Sequence, residues 1–272
     1  MFYITGDIHG YPDKLIEKIE EMELTENDTV IILGDAGFNF FLSDNDELAK
    51  RKTKRVPCKF FCIQGNHEGR PHHLPAYHQE SYCGGMVWVE DKYPNLLFAK
   101  DGEVYDFDGY KCLVIGGAYS VDKYWRIFRR GEGELLLNEH YADIAVFARG
   151  NTSDLSVQRF LDKMAENAPY GCYGWFNDEQ ISGENKKRVE KAIEQPVDFV
   201  FSHTCPFHLE PIDMFLPQVD QSTVDTSTEE WLDTIWEKTD FEKWFCGHWH
   251  TDRTVGKLRF LYHDIIPLIS ND

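Results

Sequence analysis

The sequence predicts an α/β protein with a mixed sheet and helices on both of its faces, and three observations carry that prediction. Short β-rich runs alternate with helical stretches through the first part of the chain, and the alternation returns near its end. At 272 residues the chain is long enough to bury the core of one large domain with insertions.

The elements follow in order. FYIT, residues 2–5, reads as a strand. In PDKLIEKIEEM, Pro12 suits a first helical turn, and Leu15, Ile16, Ile19 and Met22 recur on one face. TVIIL, a charged segment around Asp44 to Arg55, and KFFCI complete a β-α-β opening. The stretch from about 116 to 181 is rich in Tyr, Trp, Arg and Gly without clean periodicity. It reads as helices and loops forming a lid beside the sheet, so the expected organisation is one domain over 1–272 with a lid insertion. A charged helix, GENKKRVEKAIEQ, then precedes the runs DFVF, KWFC and LRFLYH.

Lys plus Arg number 28 and Asp plus Glu 47, a net charge of −19, which opposes non-specific attraction to nucleic acid or to an anionic membrane. An anionic substrate therefore needs a local positive source. The seven cysteines (58, 62, 83, 112, 172, 205 and 246) form no C-x-x-C pair, and several lie inside apolar runs. They read as reduced small hydrophobes, which predicts a cytoplasmic location. No apolar window approaches the roughly 18 residues of a membrane span, and the first strand leaves no room for a signal peptide.

Function is written at the ends of the strands. FYIT runs into Gly6-Asp7-Ile8-His9-Gly10, TVIIL into Gly34-Asp35, and KFFCIQ into Gly65-Asn66-His67-Glu68. DFVFS runs into His203, and KWFC into Gly247-His248-Trp249-His250. The carboxyl ends of strands line the ligand crevice of an α/β sheet. Any one of these pieces alone reads as a turn or a buried histidine, but the ordered recurrence of Asp, Asn and His after five strands does not. Oxygen and imidazole donors without thiolate suit Mn²⁺, Fe or Zn²⁺, and Asp7, His9, Asp35, Asn66, His203, His248 and His250 are too many for one ion. They fit two ions sharing a carboxylate.

GDIHG, GDAG, GNHE, SHT and GHWH, in that order, resemble the five signature blocks of the calcineurin-like metallophosphoesterases. The resemblance implies a two-sheet mixed β-sandwich flanked by helices and a dinuclear centre that hydrolyses phosphate esters with a hydroxide bridging two metal ions. It implies that Asp7, His9 and His250 hold the first ion, that Asn66, His203 and His248 hold the second, and that Asp35 bridges them. Mn²⁺ or Fe is expected first, Zn²⁺ next. His67 would meet the substrate phosphate and its leaving group. The segments GGAYSVDKYWR and GWFNDEQ are similar to a bacterial and phage subgroup of the superfamily.

The second block departs from the phosphoprotein phosphatases, where an acidic residue and an arginine follow; here it continues GDAGFNF. The carboxylate partner of the histidine and the phosphate-gripping arginine must then come from elsewhere. Arg70 and the cluster Arg126, Arg129 and Arg130 are the candidates for substrate binding. Tyr119, Tyr124, Trp125 and Trp175 are candidates for the cleft wall. His72, His73 and His78 read as free imidazoles of a polar loop, and Cys205 as a packed thiol. Phosphomonoesterase and phosphodiesterase both stay open, and the rival reading is a non-catalytic scaffold for protein binding.

Overall fold

The computed structural model describes residues 1–150 and 154–269. Residues 151–153 of the expected lid region lie outside the described residues. The parallel strands β1 (Phe2–Thr5), β2 (Thr29–Ile32) and β3 (Lys59–Cys62) are connected through α1 (Asp13–Glu21) and α2 (Asp44–Lys52). β4 (Tyr77–Tyr82), β5 (Gly85–Glu90) and β6 (Leu96–Ala99) extend this sheet to the order β13-β1-β2-β3-β6-β5-β4, where β13 is Ile266–Pro267. The second sheet has the order β11-β12-β10-β9-β8-β7, built from β7 (Val104–Phe107), β8 (Tyr110–Ile115), β9 (Phe199–Ser202), β10 (Lys243–Cys246), β11 (Arg253–Val255) and β12 (Leu258–Phe260). Two mixed sheets flanked by helices are the predicted architecture.

Period-2 alternation assigns each strand residue to a layer. Ile31, Phe61, Val114, Phe199, Phe201 and Phe245 meet between the two sheets. Val30, Ile32, Phe60 and Cys62 point the other way, under Leu15, Ile16 and Ile19 of α1. Leu113, Val200 and Trp244 pack on the outer face of the second sheet. That face is covered by α6 (Gly183–Ala192), through Val189, and by α7 (Ser227–Lys238), through Leu232 and Ile235. Strands buried on both faces read as unbroken apolar runs, which is what TVIIL and KFFCI are.

The 116–181 stretch forms α3 (Lys123–Leu135), α4 (Tyr141–Ala148) and α5 (Leu155–Glu166), which bury a cluster of their own around Ile127, Phe128, Ile144, Phe147 and Leu161. Two hairpins lie outside the sequence reading. Cys83-Gly84 and Asp108-Gly109 are two-residue loops with both φ values positive, the type I′ geometry whose twist matches the strands. Among the described residues no helix is long and apolar enough to cross a membrane.

On α7, Glu229 is buried. Burial pushes its carboxyl up to about 7, with the charges of Glu210 and Asp225 acting in the same direction. A folded-state pKa raised above the ordinary 4.5 means the folded state favours the proton. Its contribution to stability is therefore complete below about pH 4.5 and is lost as pH rises through 7. Glu229→Gln is expected to stabilise the fold by about 1–3 kcal/mol at pH 8 and to change little at pH 4.5. Thermal unfolding of both proteins at the two pH values checks this, and an equal effect at both would contradict it.

Candidate metal centre

The same ends of β1, β2, β3, β9 and β10 deliver the five sequence blocks to one crevice. Among the described residues, four of the eight non-glycine residues with positive φ are His9, Asp35, His248 and His250. Left-handed backbone is costly for such residues and concentrates where a side chain must be turned back toward a site. Here it folds each chain end over the strand that delivered it.

Asp7 and Asp35 are buried. Each uses Oδ1 to accept a backbone N–H from a neighbouring block: His248 N–H to Asp7 at 2.9 Å, and His67 N–H to Asp35 at 2.8 Å. Asp7 Oδ2 has no hydrogen-bond partner and lies 3.4 Å from His250 Nε2 and 3.9 Å from His9 Nε2. Those two nitrogens face one another at 2.9 Å. Asp35 reaches both sides, with Oδ2 3.7 Å from His9 Nδ1 and Oδ1 3.6 Å from His203 Nε2. His248 stands edge-on to His203 with ring centroids 5.0 Å apart.

Tautomers follow from the partners. The Nδ1–H of His203 donates to the Leu33 carbonyl at 2.8 Å, which turns Nε2 toward the site. Nε2 lies 2.8 Å from Asn66 Oδ1, while the Asn66 amide group donates to Ser120 Oγ at 2.8 Å. Together with the two close nitrogens of His9 and His250 and the orphaned Asp7 oxygen, this set of oxygen and imidazole donors fits cations. Asp7–His9–His250 and Asp7–Asp35–His203 each bring their donor atoms within 4.8 Å of one another.

Two glycines make the close approach possible. A Cβ on Gly65 would collide with the carboxylate and backbone nitrogen of Asp35, and one on Gly247 with the Asp7 carboxylate and the Leu33 carbonyl. Electrostatics match. Burial works to raise Asp35, but the imidazoles of His203, His67 and His9 outweigh it and hold the carboxyl well below its usual range. For Asp7 the same burial is overcome by His250 and His203. His248 is pushed down to about 3, by burial first and His203 second, which leaves it a neutral donor. Glu68 is pushed up to about 8 by burial and by Asp35, and accepts the N–H groups of Gly65 and Gly37 at 3.2 Å each.

His9, Asp35, Asn66, His67, His248 and His250 line one side of a cleft of about 350 Å³. Phe40 of GDAGFNF stacks on His67 at 6.1 Å. The carboxylate facing His67 is Asp122, with Oδ1 3.9 Å from Nε2. Sequence reading left that partner open, although Asp122 stands in the quoted segment GGAYSVDKYWR. Arg126 lies behind it, paired with Asp122 at 2.8 Å and donating to the Gly174 carbonyl at 2.6 Å. Its guanidinium braces Asp122 and is not among the groups lining the cleft.

Arg70 is not brought to the ligands. It is buried against Asp101 at 2.5 Å, donates to the Asp178 carbonyl at 2.8 Å, and lines a separate cavity. Arg129 lies over Trp125 and Arg130 over Phe40. Of the four candidate wall aromatics only Tyr119 lines the cleft. Tyr124 bonds Asp162, Trp125 stacks on Phe128, and Trp175 lies under Lys123. The imidazoles read as free are engaged: His73 contacts Asp178 at 3.1 Å with His72 alongside, and His78, on β4, contacts Glu80 at 2.9 Å. Cys205 is buried, and burial raises its thiol well above the ordinary value.

The sequence profile described as calcineurin-like phosphoesterase matches residues 1–252. No curated protein matches the sequence.

Gly65→Ala is expected to cost about 2 kcal/mol or more, since neither Asp35 nor its backbone can retreat. At Gly133, inside α3, a Cβ meets nothing, and Gly133→Ala should gain about 0.5–1 kcal/mol. Chemical unfolding of the two variants beside the parent tests the contrast; similar midpoints for the two would contradict it.

Proposed function

The chain belongs to the calcineurin-like phosphoesterase family, and from that premise we propose that it is a dinuclear metal-dependent hydrolase of phosphate esters. The observation that carries this reading is the converged donor set: the unpartnered Asp7 Oδ2, the close nitrogens of His9 and His250, and His203 Nε2 beside the Asn66 oxygen. Asp7, His9 and His250 would hold one ion, Asn66, His203 and His248 the other, and Asp35 both. The neutral imidazoles and the amide oxygen suit Mn²⁺ or Fe, then Zn²⁺. Two such ions, when bound, would supply a water of lowered pKa and the local positive field that a chain of net charge −19 otherwise lacks.

The protein's own groups do the rest. Ser120 fixes the Asn66 amide, the Leu33 carbonyl fixes the His203 tautomer, and the N–H groups of His67 and His248 fix the two carboxylates. His67 holds the proton for the departing oxygen. Burial and the Arg126 charge lower the His67 pKa, outweighing Asp35 first and the facing Asp122 second, which favour the protonated ring. The reading covers monoesters and diesters alike. The free cysteines, most of them buried, support a reducing compartment, the cytoplasm. The deciding experiment is a screen of the Mn²⁺-loaded protein against phosphomonoesters, cyclic and linear diesters, nucleotides and phosphopeptides.

Elemental analysis after Mn²⁺ loading is expected to give close to two ions per chain. Asp35→Asn should lose more metal than His9→Ala, since a neutral amide bridges poorly. Retention of two ions by Asp35→Asn would remove it as the bridge.

His67→Ala is expected to slow hydrolysis of an alkyl ester by on the order of 10²- to 10⁴-fold and to affect a nitrophenyl ester far less, because nitrophenolate departs without a proton. Asp122→Asn should follow the same pattern more weakly. Equal losses on the two esters, with metals retained, would instead make His67 an electrostatic contact to the phosphoryl group.

A further inference from the structure

The side of the cleft opposite the ligands has a composition of its own. Tyr119 and Val121 come from the turn between β8 and α3, and Met214, Phe215, Leu216, Val219 and Val224 from the segment between β9 and α7. Trp249, between the ligands His248 and His250, stacks on Phe215 at 5.7 Å and 23°. The apolar platform therefore begins beside the metal ligands. Val121 and Leu216 keep 41% and 48% of their surface exposed, apolar area left uncovered.

The ionisable groups on this side are all acids. Asp122, Glu210 and Glu229 line it, and no Lys or Arg lines the cleft. A second phosphate or a carboxylate on the substrate would find no cation lining this side, since the Arg126 guanidinium is held behind Asp122. The wall is anchored as well: Arg253 grips Asp213 at 2.9 Å through both terminal nitrogens, and Gln218 packs against Gly150 at the end of α4. About 350 Å³ is the lower end of the range for small-molecule sites, enough for a phosphate and one compact organic group.

Resting on the phosphoesterase reading above, we propose that the leaving group is a compact apolar or aromatic alcohol with no second anionic group, seated against Tyr119, Val121, Phe215, Val219 and Trp249. Each methylene buried there contributes about fourfold in binding, and a whole ring roughly 10- to 100-fold. Polyphosphates and acidic phosphopeptides are disfavoured, because no cation lines this side to receive a second anionic group.

The test uses methyl-, phenyl- and 3-carboxyphenylphosphonate, which cannot be hydrolysed, titrated calorimetrically into the Mn²⁺-loaded protein, with turnover of the phenyl and 3-carboxyphenyl phosphate esters measured in parallel. Phenylphosphonate is expected to bind at least tenfold tighter than either of the others. Phe215→Ala should shrink its advantage over the methyl compound, and Val219→Lys should restore binding of the carboxyphenyl compound. Affinities within threefold across the three, or no binding of any, would overturn the proposal. Selective phosphonate binding without turnover of any ester would sustain the pocket and sink the hydrolytic reading; turnover without selectivity would do the reverse.

Discussion

Two carboxylates placed where water does not reach govern this structure. A buried carboxylate costs several kcal/mol unless it is paired, and Asp7 and Asp35 are paired only in part. One oxygen of each is tied to a backbone N–H that belongs to another block, His248 for Asp7 and His67 for Asp35. The ties run from β10 to β1 and from β3 to β2, so each carboxylate also staples two loops. The remaining oxygens are left to face imidazoles. Any cation bound in this crevice would be coupled to folding, because the donor set is assembled only when all five strand ends are in place.

The helical stretch after β8 reaches that crevice through a few residues. Ser120 sets the Asn66 amide, its own N–H donates to Glu179 at 3.1 Å, and Asp122 faces His67. Arg126 binds the two quoted segments together by joining Asp122 to Gly174. A phosphatase-like second block would supply a carboxylate and an arginine from one loop. In this chain Phe40 takes the space beside His67, and a carboxylate–arginine pair arrives from a helix start more than eighty residues later.

The convergence of the candidate ligands was legible because the pattern was local: a polar residue one or two positions past an apolar run, repeated at five strand ends. Buried parallel strands were legible for the same reason, since their apolar runs are unbroken. What stayed hidden depended on distance or on short-range turn chemistry. Asp122 has no local mark, for its meaning comes from His67, and Arg70 looked like a free cation until Asp101 and Asp178 were folded against it. The hairpins at Cys83-Gly84 and Asp108-Gly109 carried a signal, above all the Asp-Gly pair, that a search for long periodic runs passes over.

β13 closes the sheet with two residues. It pairs antiparallel with β1, the strand that carries Asp7 and His9, and sets Pro267 opposite Tyr3. A proline has no N–H, and a two-residue strand exposes almost no ladder. A foreign strand approaching the sheet on that side therefore meets a short edge that lacks the Pro267 donor. The flank beside the candidate ligands is poorly suited to pairing with another strand because of a single imino acid.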